Sequence, residues 1–500
     1  VAEIVRAEFR DLKVFFSEVF RVDRKILEDF GAFDVSLFAD LPLFVDPFLL
    51  FNSKNPEYQK LHNSIIKYLS FLRDKSVEED VSDAQLKYWY CFPEVKQNWF
   101  GFTKFGNGGH GLGIEFARSL HSNLNAIFQN FGNETVTRGS HLEKVCLIKQ
   151  GIGRDNISDF VTNLIKRHLY SFTEKFALKH LQKKQCQRVS INNVKFNYKT
   201  ETWEPETFLL PWYGHDHIVL TPKDMLTRDE TWINRGDLYS QFYAIPRSIP
   251  DDQLRGQIDN YFRKSLRPKP GKEPTTEERM LAVDKTIEKF PILIDYFIRL
   301  KEDTGGKATK ISAEKRRFAE FLFAQKSGDL ANLLKGTDFF SEADNSFSES
   351  LLRASFLKDV IENKGGHKAF YGPKGVLVTK EEDLQIMFRL VWFGTTLTVT
   401  REANDGRGPA DFKISRGSKD HTIIEFKLAS NSQLKRNLQK QVPIYKAASD
   451  AQNGISIIIF FTMSEQKKLE KMLNELGLDN QKRVITIDAR RDNKPSGSKA

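Results

Sequence analysis

The stretch 406–429, GRGPADFKISRGSKDHTIIEFKLA, decides how the C-terminal part of this chain folds. Two runs in it, ADFKIS and TIIEFKLA, have strand-like composition and are separated by the turn-forming residues RGSKD. This pattern predicts two strands that fold back on each other. Further along, the strand-like runs ISIIIFFTM and VITIDA are joined by the helical run SEQKKLEKMLNEL, which predicts a parallel βαβ unit.

Three ionisable side chains in this stretch need an explanation. Asp411 begins the first predicted strand, and Glu425 and Lys427 lie two residues apart on the second. Side chains two apart on a strand point to the same face, and the turn brings Asp411 towards that face. The neighbours of Glu425 and Lys427 are apolar on both phases, which predicts a central strand. Charges on such a strand are rarely buried unless they pair or bind a metal.

Two converging carboxylates with open positions suit a hard cation such as Mg²⁺, with Mn²⁺ as a substitute. We therefore expect Asp411, Glu425 and the backbone carbonyl of Phe426 to hold the metal. Lys427 is expected to orient a water molecule and to stabilise charge that builds on a phosphate. In the alternative interpretation, Asp411 is a turn carboxylate, and Glu425 and Lys427 form a solvated cross-strand pair.

These residues resemble the PD-(D/E)xK nuclease superfamily, with PAD (409–411) and EFK (425–427) as the matching motifs. The alanine inside PAD breaks the literal Pro-Asp dipeptide. The following helical run carries Gln441 and Tyr445, similar to the Q-xxx-Y motif of recombination-type nucleases in that superfamily. The resemblance covers 366–500 and implies a restriction-endonuclease-like α/β domain with a mixed sheet flanked by helices.

The resemblance also implies a function, which is metal-dependent hydrolysis of phosphodiester bonds. The expected substrate is DNA, cut endonucleolytically, and the expected setting is prokaryotic restriction or anti-phage defence. Gln441 and Tyr445 would then position the substrate strand and the site water, with ordinary helix packing as the alternative. Two other functions stay open: an RNA-directed nuclease, and a nucleic-acid-binding scaffold or sensor that does not cleave.

The helical run TKEEDLQIMFRLVW, which precedes the strands, carries three adjacent acids. Its buried stripe is predicted at Leu384, Phe388 and Val391. Glu381 shares the phase of this stripe, whereas Glu382 faces about 100° away. We therefore expect Glu381 to support the metal or its water, with Glu382 as the second candidate. In the alternative interpretation, all three acids, including Asp383, stabilise the helix N-terminus through its dipole.

A basic helical run follows the second strand. The segment 432–446, SQLKRNLQKQVPIYK, contains four basic residues and no acid. We expect Lys435, Arg436 and Lys440 to contact nucleic-acid phosphates, together with Arg407 from the Gly-rich turn. A solvated helix face is the alternative for the run, and a turn cap is the alternative for Arg407.

Composition limits the class of protein. The 500 residues include 76 Lys and Arg against 66 Asp and Glu, and this net charge of +10 is compatible with a polyanionic partner. A hydrophobic content of 40% with 41 Phe excludes a mostly disordered chain. Three widely spaced cysteines argue against a disulfide scaffold and favour the reducing cytoplasm. The longest apolar runs fall short of the roughly 20 residues that a membrane-spanning helix needs.

Four regions are predicted along the chain: an α+β block of unknown role at 1–263, a Pro-rich charged linker at 264–279, a helical region at 280–365 and the nuclease-like region at 366–500. In the first block, helices are expected at 55–74 and 114–131, and strands at 144–150, 188–197 and 217–222. The Phe-rich segment 30–51 is predicted as core, and its density suggests an interface with a second copy or a partner subunit.

Three weaker patterns lie in the first block. The run GNGGHGLG (106–113) contains G-x-G-x-x-G, which suits phosphate binding, although a flexible loop is the simpler interpretation. Asp155 and Asp159 are four apart and are candidates for one metal-binding helix face, or for helix capping. His215 and His217 flank an aspartate and are candidate chelators, or parts of a loop that leads into a strand.

Overall fold

The computed structural model describes the chain except for residues 1–13, 78–80, 102–112, 128–130, 133, 149–152, 267–272, 341–342, 373–374, 376, 379, 394–411, 417–419, 440–452, 480 and 495–500. The architecture is mixed α/β, with helices and small sheets distributed over several regions, as the sequence predicts at this level. Among the described residues, no helix combines the length and the apolar character that crossing a membrane requires.

The N-terminal region combines helices with two small sheets. Its helices are α1 (Phe16–Phe20), α2 (Arg24–Phe30), α3 (Pro47–Phe51), α4 (Pro56–Lys75), α5 (Asp83–Tyr90), α6 (Ile114–Ile127), α7 (Lys144–Ile148), α8 (Arg154–Leu164), α9 (Lys166–His180), α10 (Arg235–Gln241) and α11 (Asp252–Ser265). Its strands are β1 (Leu43–Val45), β2 (Cys186–Asn197), β3 (Thr202–Tyr213), β4 (Asp216–His217) and β5 (Leu226–Arg228). The sheet orders are β1-β5 and β2-β3-β4, and every pair is antiparallel.

Two of the strands predicted in this block are wrong in type or in length. The run 144–150 was expected to be a strand, but Lys144–Ile148 is the helix α7. Val145, Cys146 and Leu147 are consecutive and buried, and periodicity cannot distinguish a short buried helix from a buried strand. The strand expected at 217–222 ends at His217: the amide of Ile218 still donates to Pro211 O of β3, but the amides of Val219 and Leu220 donate to Gln97 O and Thr173 Oγ1, outside the sheet. The helix expected at 55–74 and the strand expected at 188–197 are present, and of the helix expected at 114–131 the structure describes Ile114–Ile127.

The middle helices are α12 (Thr276–Lys289), α13 (Ile292–Asp303), α14 (Gly305–Glu320), α15 (Ser327–Lys335) and α16 (Ser346–Asn363). Helices enter the predicted linker from both sides, since α11 continues to Ser265 and α12 begins with a capping box formed by Thr275 and Glu278. A π-helical segment, Phe321–Lys326, joins α14 to α15. The helix α14 packs against β5, and α15 packs against the C-terminal helix that begins at Glu381. The middle helices therefore contact both the N-terminal and the C-terminal regions.

The C-terminal region contains α17 (Glu381–Phe393), a helix α18 described over 434–439, and α19 (Met463–Leu476). Its sheet has the order β6 (Phe412–Arg416), β7 (Asp420–Leu428), β8 (Asn453–Phe460) and β9 (Val484–Asp488). The strands β6 and β7 are antiparallel, while β7, β8 and β9 are mutually parallel. The predicted hairpin and the predicted parallel βαβ unit are therefore confirmed. The helix α16 also packs on this sheet, so the packed C-terminal layer starts before residue 366.

The two faces of this sheet differ in what covers them. On one face, Phe426 stacks on Phe388 of α17 with ring centroids 4.3 Å apart and joins the main hydrophobic core. On the other face, Ile458 and Phe460 of β8 pack in a smaller cluster with Leu434 of α18 and with α19. Side chains alternate along a strand, and Lys427 pairs with Ile458, so Glu425 and Lys427 belong to this second face.

The N-terminal core contains buried acids of two kinds. Glu143 is fully buried, and within the described residues its carboxyl oxygens form no hydrogen bond of good geometry, although the amide of Phe48 lies near enough to oppose the rise of its pKa. Burial and the nearby Asp46 raise its pKa well above the usual value, and burial raises the pKa of Asp46 to about 6. Glu302 is also buried, but it accepts hydrogen bonds from the amides of Arg138 and Gly139 and contacts the ring of His141.

Opposite stability effects are predicted for the same substitution at these two acids. Glu143→Met should raise the free energy of unfolding at pH 7 by about 1–3 kcal/mol, because it removes a buried carboxyl group that has no hydrogen bond of good geometry. A raised folded pKa means that stability falls as pH rises above the unfolded pKa, so this gain should grow between pH 5 and pH 7. Glu302→Met should lower the free energy of unfolding by about 3 kcal/mol, because its donors lose their acceptor. Urea denaturation at several pH values measures both, and a destabilised Glu143→Met protein contradicts the prediction.

Candidate functional site

The start of α17 meets the end of β7 through one carboxylate. Glu381, the first residue of α17, has Oε1 at 3.3 Å from Lys427 Nζ. Its Oε2 accepts a hydrogen bond from the amide of Leu428 at 3.3 Å and one from Asn431 Nδ2 at 2.9 Å. The structure therefore places two predicted site residues, Glu381 and Lys427, in direct contact. Asn431 was not singled out from the sequence, where an asparagine in a turn carries no distinguishing signal.

The three adjacent acids at the start of α17 have three different environments. Glu381 contacts the end of β7, Glu382 is exposed, and Asp383 is buried in an ion pair with Arg228 of β5. Burial raises the pKa of Asp383, and the positive charge of Arg228 opposes that effect. The predicted stripe of Leu384, Phe388 and Val391 is buried, as expected.

Glu425 lies deep in the sheet. It is 3% exposed, and its neighbour in register on β8 is Ser456, which is also buried. The Lys427 side chain is 11% exposed and that of Glu381 is 23% exposed. Exposure therefore increases from Glu425 towards the Glu381–Lys427 contact, which is the end of this group nearest to solvent.

The pairing of β6 with β7 ends beside this group. The last described pair joins Phe412 to Ile424, and the next residue along β7 is Glu425. Asp411 directly precedes Phe412 in the chain. Five residues expected from the sequence to serve the site lie outside the described residues: Arg407, Asp411, Lys440, Gln441 and Tyr445.

The described residues supply part of the donor set that a divalent cation would need. Within the described ranges, no group of three or more His, Cys, Asp and Glu side chains is placed to hold a metal. The ring of Phe426 packs against Phe388 on the opposite face, so only its backbone carbonyl is a candidate ligand. A carboxylate and a carbonyl oxygen are donors that Mg²⁺ accepts, and the set expected from the sequence needs Asp411 to complete it.

At least one basic side chain of the helix after β7 is already paired with an acid, which its sequence does not indicate. Lys435 Nζ lies 2.6 Å from a carboxylate oxygen of Glu475 on α19, and this ion pair holds the pKa of Glu475 below its usual value. Arg436 is exposed, whereas Leu434 and Leu438 are buried beneath the helix. The run itself contains no acid, so its composition did not predict a pairing with an acid from α19.

Two of the weaker patterns can be located in the N-terminal region. His217 is buried, and its ring contacts Tyr170 at 2.9 Å and Asp216 at 2.8 Å, so it is a packed residue of β4. Asp155 and Asp159 lie on α8, where burial, Asp155 and Glu94 raise the pKa of Asp159 to about 8. The run 106–113 lies outside the described residues up to 112.

Two family models match separate parts of the chain. Domain of unknown function (DUF8370) matches residues 21–234, and Domain of unknown function (DUF8371) matches residues 346–463. The second match contains α16, α17 and β7, and therefore Glu381, Glu425 and Lys427. No curated protein and no solved structure matches the chain.

Unequal effects are predicted for two neighbouring glutamates. Glu381→Ala should lower the free energy of unfolding by about 1–2 kcal/mol, because the amide of Leu428 and the side chains of Lys427 and Asn431 lose their shared acceptor. Glu382→Ala is the matched control and should leave stability unchanged, because its side chain is exposed. Equal effects in chemical denaturation would contradict this assignment of the helix acid.

Proposed function

We propose that the C-terminal region is a metal-dependent nuclease of the PD-(D/E)xK type that hydrolyses phosphodiester bonds, with DNA as the expected substrate. The observation that carries the proposal is the contact between Glu381 and Lys427 on the same strand as the buried Glu425. A helix acid, a strand glutamate and a lysine two residues later are three of the elements that the resemblance requires, beside Asp411 and the helix with Gln441 and Tyr445. The first and last of the three meet although 46 residues separate them.

The sheet supports the fold that this proposal needs. An antiparallel hairpin leads into parallel strands, and helices cover both faces, α16 and α17 on one side and α18 and α19 on the other. We therefore propose a restriction-endonuclease-like fold for this region. Support for the place of Asp411 comes from the register, since β6 and β7 pair up to the residue before Glu425 and Asp411 immediately precedes that last pair.

The proposed roles follow from the chemistry of the side chains. Asp411, Glu425 and the carbonyl of Phe426 would hold Mg²⁺, or Mn²⁺ in its place. When bound, the cation would polarise the phosphodiester and neutralise charge. Lys427 would orient the attacking water and stabilise charge on the phosphate, and Glu381 would fix the position of its ammonium group.

Six further residues would contact the substrate. Gln441 and Tyr445 would position the substrate strand. Arg407, Arg436 and Lys440 would contact the phosphate backbone, and Lys435 could do so only by exchanging its Glu475 partner for phosphate. Binding is therefore expected to weaken with salt.

A second candidate function is nucleic-acid binding without cleavage. The observation that favours it is that Glu381 already accepts from three donors, one of which is Lys427, so Lys427 has a partner without any substrate. A mobility shift with no cleavage in either Mg²⁺ or Mn²⁺ would favour this candidate. Cleavage of tRNA and not of DNA would favour an RNA-directed nuclease.

The central prediction is that Asp411→Ala and Lys427→Ala each reduce Mg²⁺-dependent cleavage by roughly 100-fold or more while the protein stays folded. Plasmid, linear duplex, single-stranded DNA and tRNA should be tested with Mg²⁺ and with EDTA. Lys482→Ala is the matched control, because Lys482 is an exposed lysine at the far end of the sheet, before β9. Retained cleavage in both site variants would discard the proposal.

The biological setting is a further proposal, and it depends on the resemblance alone. If the protein acts in restriction or anti-phage defence, cells that carry the Lys427→Ala protein should give more phage plaques than cells that carry the wild type. Plaque counts should be compared across several unrelated phages at equal protein levels. Equal counts for every phage would contradict a role in defence.

A further inference from the structure

The N-terminal region contacts the proposed site through the first turn of α17. Arg228 ends β5 and forms an ion pair with Asp383, and both side chains are only 4% exposed. The next residue, Asp229, forms a second ion pair with Lys380, which directly precedes α17. Glu381 lies between these two anchored positions, so the first turn of α17 is attached to the N-terminal region on both sides of the residue that contacts Lys427.

Arg228 is held in place by aromatic rings as well as by its charge. Its guanidinium carbon lies 5.3 Å from the ring centroid of Phe318 and 5.7 Å from that of Phe323. Phe318 belongs to α14, and Phe323 belongs to the π-helical segment that follows α14. Cation–π contacts are strongest where the cation is desolvated, as it is here. Arg228 therefore has little freedom to move without disturbing the middle helices.

The backbone at this position is also strained. Asp229 has φ 73°, and the amide of Glu230 donates to the carbonyl oxygen of Arg228 at 3.0 Å, which together form a tight γ-turn. Positive φ is uncommon outside glycine, and such strain persists only where surrounding contacts impose it. Burial opposes ionisation of Asp229, but Lys380 and Arg228 outweigh burial and hold its pKa below the usual value. The turn thus places two opposite charges, Arg228 and Asp229, against the first turn of α17.

On the side of β7, the contacts that begin at Arg228 and pass through the first turn of α17 end at the amide of Leu428. On β7 the amide of Ala429 donates to Ile459 of β8, so the amide of Leu428 points away from β8, and there it donates to Glu381. A shift of the first turn of α17 would therefore separate Glu381 from the Leu428 amide and from Lys427 together. This gives the connection a readout that does not depend on catalysis.

We propose that the Arg228–Asp383 ion pair is a positioning contact through which the N-terminal region holds Glu381 against Lys427 and so regulates cleavage. This inference rests on the proposed nuclease function, because it names the regulation of that same site. Loss of a partner from a buried ion pair leaves an uncompensated charge, which forces the surrounding backbone to rearrange. A ligand of the N-terminal region that displaces the turn at Asp229 would change the rate of cleavage.

The test replaces the ion pair by apolar side chains in the full-length double variant Arg228→Met/Asp383→Leu, which leaves no buried charge behind. Hydrogen exchange resolved at the Leu428 amide should become about tenfold faster or more, since the amide loses its acceptor. In the same variant, kcat for DNA cleavage should fall about tenfold with little change in KM, because a positioning contact acts on the chemical step. Asp383→Asn, a nearly isosteric change, is the second variant if the double variant does not fold.

The matched control is Lys144→Met/Asp295→Leu, which removes another partly buried ion pair, with an Nζ–Oδ1 distance of 2.6 Å, between α7 and α13. It should leave both the Leu428 exchange rate and kcat unchanged. Equal effects of the control and the test variant would show a general loss of stability and overturn the inference.

The outcomes separate this inference from the proposed function. Unchanged exchange at Leu428 in a folded test variant overturns the positioning contact. Faster exchange with unchanged cleavage overturns the regulatory claim. If the wild type cleaves no nucleic acid, the proposed function and the regulation of cleavage fall together, whereas faster exchange would still support Arg228–Asp383 as the contact that positions Glu381.

Discussion

The stacking of Phe426 on Phe388 is the contact on which the C-terminal region depends. It anchors α17 to β7 and fixes which side of β7 faces the main core. Because side chains alternate along a strand, this contact directs Glu425 and Lys427 to the opposite face. A slip of one residue would turn both charges into the main core and move the phenylalanine to the opposite face, so hydrophobic packing on one face determines where the chemistry on the other face lies.

The helix α17 contacts both the C-terminal sheet and the N-terminal region. Its apolar residues pack on β7, while its first turn is paired with the end of β5. The two matched families therefore meet at this turn, since Arg228 lies in one and Asp383 in the other. Through these contacts the large N-terminal region touches the turn that carries Glu381, and no ligand bound by both regions is needed to link them.

Buried charge in this protein is governed by the partners that it finds. Asp383 and Glu302 are compensated by an arginine and by backbone amides, whereas burial raises the pKa of Glu143 and so favours its neutral form. Lys427, predicted from the sequence as an exception to ordinary burial, fits the same rule, since it has Glu381 as its partner. The charge of Lys427 on a central strand therefore signalled a compensating group, although the sequence did not say which one.

Local pattern alone predicted the hairpin, the parallel βαβ unit and the inward phase of Glu381, because alternation and helical spacing act over a few residues. It failed at 144–150, where a short apolar run fits a helix and a strand equally well. Tertiary structure alone decided the partners of the charges: Arg228 meets Asp383 across 155 residues, and Lys435 meets Glu475 across 40. Ion pairs between distant segments leave no periodic trace in a sequence, since only the packing of the elements that carry them brings the charges together.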